Sequence, residues 1–107
     1  MEGSRERRIA QNEDAARKIN ESIDDERAGE GHPGPRWFVC ECAHADCAVL
    51  LDVGAGKYHE VRENPQRFIV LPGHEEPDVE VVVEARAEYL VVEKTGEAGR
   101  IADEEAP

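Results

Sequence analysis

The chain predicts an α+β protein, an N-terminal amphipathic helix ahead of a small antiparallel sheet with a short helix. Three observations lead there. Apolar residues recur at helical spacing through a highly charged N-terminal stretch. Between Trp37 and Val92 the large apolar residues fall into short runs, rich in β-branched and aromatic side chains and punctuated by Gly and Pro. Three cysteines sit within eight residues of a chain only 107 long. A domain of this size is marginal on core burial alone, so it invites a staple.

Residues 5–28 read as the helix, the first of four segments. Ile9, Ala16 and Ile23 are spaced by seven with Ile19 beside them, which draws one narrow apolar stripe along a charged rod. Glu13 with Arg17, Asp14 with Lys18 and Arg17 with Glu21 are four apart, each pair contributing about 0.2–0.5 kcal/mol. Ser4 is the expected N-cap and Gly29 the stop. The stripe suits docking on the chain's own domain, on a second copy, or on a partner. Asn12 and the short heptad argue against a coiled coil. Residues 1–28 therefore form the helical segment, and 29–35 (GEGHPGP from Gly29) a linker.

The domain proper spans 36–95. Arg36 to Val39 reads as a strand entering the cysteines, and Ala48 to Val53 as a second, bounded by Gly54 and Gly56. Lys57 to Glu63 predicts a short helix with Tyr58 and Val61 on one side, ended before Pro65. Phe68 to Leu71 is a strand cut off by Pro72-Gly73. Val79–Val83 and Tyr89–Val92 predict a hairpin turning through Ala85-Arg86-Ala87, with a helix over 78–86 as the rival reading because no Gly or Asn marks the turn. The composition of 96–107 predicts a disordered acidic tail.

The formal net charge is −12: −3 over residues 1–30, −1 over 31–70 and −8 over 71–107. Such a surface repels phosphate backbones and anionic membranes, which leaves nucleic acid and membrane out as partners. A protein partner with a basic surface fits, as does solubility alone. No run approaches the ~18 apolar residues of a membrane span, and the start (MEGSRERRIAQNED) lacks the pattern of a secretory signal. An odd number of cysteines argues against a disulfide framework and for reduced thiols, hence a cytoplasmic setting. The sequon Asn20-Glu21-Ser22 is discounted for want of a secretion signal.

Cys40, Cys42 and Cys47 are the chemically pointed feature. Zinc prefers four thiolate or imidazole ligands in a tetrahedron. On extended backbone, the two sulfurs of a C-x-C step share a face, and a four-residue loop brings Cys47 back to the same ion. The fourth ligand comes from elsewhere: His74 first, since it follows the sharp Pro72-Gly73 turn, then His44, His59 or His32, with Asp46 or water as further options. A catalytic zinc would need an open position and a base, for which Glu41 and Glu75 can be nominated. Buried or inert thiols and a redox or metal-sensing switch are the other readings of the cluster.

Other signals fall away. Gly54-Ala55-Gly56-Lys57 lacks both the first Gly and the trailing Ser or Thr of a phosphate-binding loop, with Leu51 and Tyr58 in their places. Cys47 with His74 as nucleophile and base would need a larger scaffold. Trp37-Phe38 reads as core rather than as a stacking platform. Glu75, Glu76, Asp78 and Glu80 do not match a calcium loop and read as a solvated face.

Across residues 5–95 the chain resembles a group of short uncharacterised actinobacterial proteins. The resemblance is carried by Arg7-Arg8-Ile9-Ala10, Phe38-Val39-Cys40-Glu41-Cys42 with Cys47, Tyr58 with Val61-Arg62, Phe68, Pro72-Gly73-His74-Glu75 and Val91-Val92-Glu93-Lys94. It implies a bacterial, cytoplasmic setting and favours His74 beside the three cysteines; no activity comes with it. The chain departs from the group near Gly54 to Gly56, where a more regular helix start is expected. Taken together, the residues predict a zinc-binding interaction or regulatory module without catalytic activity, with dimerisation through the N-terminal helix as an option. A thiol-based redox or metal sensor is the alternative, and a small metal-dependent enzyme the third reading.

Overall fold

The computed structural model describes residues 11–23, 35–44 and 47–105. Helix α1 covers 11–23, so its expected cap Ser4, its stop Gly29 and linker positions 29–34 lie outside the described residues. Then follow β1 (Trp37–Val39), β2 (Leu50–Asp52), α2 (Ala55–Arg62), β3 (Arg67–Val70), β4 (Glu80–Ala85), β5 (Leu90–Lys94) and α3 (Gly96–Glu105). This is the expected α+β architecture, with its strands divided between two antiparallel sheets. The first pairs β1 with β2, Phe38 opposite Leu51; the second has the order β3-β5-β4. The hairpin β4–β5 forms as expected, with an irregularity between Val82 and Glu84, so the helical reading of 78–86 does not hold.

Alternation decides what each strand buries. Phe38 and Leu51 point inward, while Trp37 and Leu50 are about half exposed. Trp37-Phe38 is thus core in one half only. Phe38 stacks on Tyr58 of α2 at 4.3 Å between ring centroids, which ties the first sheet to that helix. Strands β3 and β5 bury both faces through Phe68, Ile69, Val70 and Leu90 to Val92. Strand β4 lies at the sheet edge with Val81, Val82 and Val83 exposed. Helix α2 begins cleanly at Ala55, because Gly54 turns the chain at φ 86°, a conformation side chains disfavour.

Two sequence expectations are corrected by the fold. The tail is not disordered over 96–105: it forms α3, whose Ile101 and Ala102 are buried, Ala102 within the main core. Two adjacent apolar residues in an acidic segment anchor one helix face, a signal that composition averages away.

The second correction concerns α1, which docks on its own domain but not by its apolar stripe. Ile19 is 53% exposed and Ala16 half-buried; Ile23 is the stripe residue that packs against the core. The buried face is Glu13, Asp14, Arg17 and Asn20. Glu13, Arg17 and Asn20 find partners elsewhere in the chain that helical periodicity cannot reveal. Glu13 pairs with Lys94 of β5, which also holds Glu80, all three side chains 1% exposed. Glu80 therefore leaves the expected solvated acidic face. Arg17 bonds Asp14 at 2.9 Å and the Pro65 carbonyl at 2.9 Å, with its guanidinium over the Phe68 ring at 4.8 Å. Asp14 also pairs with Lys18 at 2.9 Å, as the spacing predicts. Burial pushes the Glu13 carboxyl up to about 8 against the opposing pull of Lys94.

Candidate metal centre

Ligand atoms of Cys40, Cys42, Cys47 and His74 all lie within 4.8 Å of one another. The structure thus brings together the three cysteines and the first-choice histidine. Cys40 Sγ and Cys47 Sγ are 3.7 Å and 3.6 Å from His74 Nδ1.

Local structure explains how each donor arrives. Cys40 leaves β1 with its N–H donated to the Val49 carbonyl at 2.8 Å, and a bend at Cys42 and Ala43 sets the second sulfur beside the first. A turn closed by Cys47 N–H to His44 carbonyl, 3.0 Å, returns the third sulfur. His74 is delivered by Pro72-Gly73: its N–H reaches the Leu71 carbonyl at 2.8 Å, and Gly73 takes φ 99°, the left-handed third position that favours Gly. Leu71 N–H meanwhile donates to Cys40 Sγ at 3.1 Å, so one residue anchors both ends of the donor set.

Cys40 and Cys42 are buried and Cys47 half-buried. The first two titrate as a unit. A hydrogen bond from Cys40 pulls the Cys42 thiol down to about 4, while that bond and burial push Cys40 up. A cation here would meet one sulfur biased toward thiolate and would have to displace the proton that burial favours on Cys40.

Of the other nominated histidines, His44 packs its ring edge-on to His74 at 5.5 Å and lies beside the donors, not among them. His59 sits on α2, and His32 and Asp46 lie outside the described residues. The nominated bases are occupied. Glu75 accepts the Gly73 N–H at 2.7 Å.

Glu41, between two ligands, is fully buried. Its Oε2 accepts from Asn20 Nδ2 at 2.9 Å and from the Tyr58 hydroxyl at 2.7 Å; its Oε1 accepts from Ile69 N–H at 3.0 Å. Burial raises its pKa despite these three donors, and raises that of Tyr58 as well. Glu41 N–H also bonds the Ile69 carbonyl at 2.7 Å, so this residue splices the ligand segment onto β3.

Sequence reasoning missed Asn20 and Asn12. Asn20 donates to the Val39 carbonyl at 2.9 Å and accepts the Val39 N–H at 2.7 Å; Asn12 donates to the Ala43 carbonyl at 2.8 Å. Asn20 is fully buried, which also removes the sequon as a modification site of the folded chain. The signal present in the sequence was an Asn at each of two turns of a helix that otherwise favours better helix formers.

Beside the centre lies a largely apolar cavity of about 140 Å³ whose lining includes Ala16, Ile19, Val39 and Ala48 together with His44 and Cys47. No helix among the described residues is long and apolar enough to cross a membrane. The four-donor cluster can hold a metal ion, and that conclusion rests on geometry alone, for no family model, curated protein or solved structure matches the chain.

Proposed function

We propose that this chain is a small zinc-binding module that works by contact with a protein partner and not by turnover. The observation that carries the reading is the complete donor set: three sulfurs and one imidazole nitrogen, all from the chain. Zinc bonds of ~2.3 Å to sulfur and ~2.0 Å to nitrogen give a tetrahedron with S···N edges of about 3.5 Å. The 3.6 and 3.7 Å separations at His74 fit that edge. A set of four protein ligands is the pattern of structural zinc, whereas catalytic zinc keeps a position for water. Enzymatic use would also need a base, and Glu41 and Glu75 are both engaged.

The partner is a protein with a basic surface, drawn by a chain whose net charge is −12. Ile19 on the outer face of α1 supplies an apolar contact for it, or for a second copy. The setting is a reducing bacterial cytoplasm, consistent with three free thiols.

Metal content by mass spectrometry on untagged, chelator-free protein, with a thiol count before and after denaturation, tests the reading. One zinc per chain with thiols protected until denaturation is expected. Metal-free protein with three freely reactive thiols overturns it. That second outcome promotes a thiol sensor, which the half-buried Cys47 beside two further sulfurs favours.

A further inference from the structure

The metal reading leaves one question of design: what holds the ligand segment in the shape that aims two sulfurs at one point. Strand β1 ends at Val39, and beyond it the even positions 40 and 42 carry the donors. The odd positions are gripped by α1. Val39 is held through both its backbone groups by Asn20, Glu41 through its carboxylate by Asn20, and Ala43 through its carbonyl by Asn12. We propose that α1 is the outer clamp of the metal centre, with Asn20 and Asn12 as positioning residues, so that α1 docking and metal occupancy are thermodynamically linked. The inference rests on the zinc reading above and names how that site is regulated.

The clamp is polar and therefore sensitive. The docking face is built from Glu13, Asp14, Arg17 and Asn20, so much of its hold depends on hydrogen-bond geometry, which decays steeply with misalignment. An ion drawing Cys40 and Cys42 to one centre fixes the backbone that the two asparagines grip. Without it, the segment relaxes and the bonds to 39, 41 and 43 weaken together. Reciprocity follows: whatever loosens α1 lowers metal affinity by the same factor by which metal loss loosens α1. Glu41 is the shared member, bonded on one side to Asn20 and on the other to Ile69 of β3.

The test uses the full chain. Zinc affinity is measured by competition with a chromophoric chelator for wild type, Asn12→Ala, Asn20→Ala and the control Ser22→Ala, which alters an exposed α1 side chain outside the clamp. Loss of outer support is expected to weaken zinc about 10–100-fold in both asparagine variants, with Ser22→Ala unchanged. Cobalt spectra of the variants should stay tetrahedral, because the donors themselves remain. Hydrogen exchange over 11–23 should quicken on zinc removal more than exchange over β3 and β5. Asn12→Ala forfeits a single part-buried bond, so it still reports if Asn20→Ala fails to fold. Affinities within about twofold of wild type in Asn12→Ala and in any folded Asn20→Ala, or exchange over 11–23 indifferent to zinc, overturn the linkage. Failure of wild type to bind zinc removes the metal reading and the linkage together, whereas normal wild-type binding with indifferent variants removes the linkage alone.

Discussion

Replacing Glu41 by glutamine exchanges one oxygen for an NH₂ group and should cost about 3 kcal/mol, as a count of its hydrogen bonds shows. Three donors converge on this side chain: Asn20 and Tyr58 on one oxygen and the Ile69 amide on the other. A carboxyl keeps two acceptor oxygens in either protonation state, whereas an amide has one. If the introduced amide turns its oxygen toward Asn20 and Tyr58, its NH₂ faces the Ile69 N–H, donor against donor. The orphaned backbone N–H costs about 1–3 kcal/mol, and weaker acceptance of the remaining bonds adds roughly 1. The flipped amide is worse, since it opposes two donors instead of one. Sparing a buried carboxyl its desolvation offsets part of this, while Arg62 nearby, already lowered by burial, loses a favourable neighbour. Urea unfolding of the zinc-loaded protein reads the result. With a slope of roughly 1–2 kcal/mol per molar, the midpoint should fall by about 2 M. Tyr58→Phe alone should cost about 1 kcal/mol, and less when combined with Glu41→Gln, since the two share a bond. A midpoint shift below about 0.3 M for Glu41→Gln would refute the claim that the carboxyl splices the ligand segment to β3.

Three further outcomes are expected. Glu13 holds its proton to about pH 8 in the folded chain, against 4.5 for the free group. The folded state thus binds more protons across that window, and its stability is full below the lower value and declines as pH rises through the upper. Glu13→Gln should flatten this decline in thermal melts at a series of pH values; an unchanged slope excludes Glu13 as its source. Lys94→Met takes the shared donor from the Glu13 and Glu80 side chains at sites 1% exposed, and should lower Tm by more than about 10 °C, with calorimetry as the readout. Ile101→Ala should cost about 2 kcal/mol in denaturant titration if α3 is docked, whereas a free tail would register nothing.

What the sequence made legible follows from where each signal is written. The cysteines and His74 could be read because metal chemistry restricts donors to few residue types, and because Pro72-Gly73 announces a turn that aims the next residue. Strands β3 and β5 could be read because both faces are buried, so their β-branched runs are continuous. The docking face of α1 could not. Hydrophobic periodicity locates apolar faces, whereas Glu13 and Arg17 enter the interior because Lys94, Asp14, a carbonyl and an aromatic ring await them there. Apart from Asp14, three residues away on the same helix, those partners are set by tertiary structure and leave no local trace. The same holds for the division into two sheets: β1 and β2 reach the second sheet through Glu41, a charged residue that pattern reading sends to the surface.

Glu13 and Lys94 are 81 residues apart, and the bond between them sets an order of events during synthesis. The helix leaves the ribosome first, yet its anchor on β5 is made close to last. At ~5–20 residues per second, the interval between the two is roughly 4–16 s. Throughout that time Glu13 lacks its Lys94 partner, while Cys40, Cys42 and Cys47 emerge well before His74. An early ion would find three sulfurs and no imidazole, and the complete centre can assemble only once the Pro72-Gly73 turn has cleared the exit tunnel. Among the described elements, the earliest made therefore waits for one of the latest.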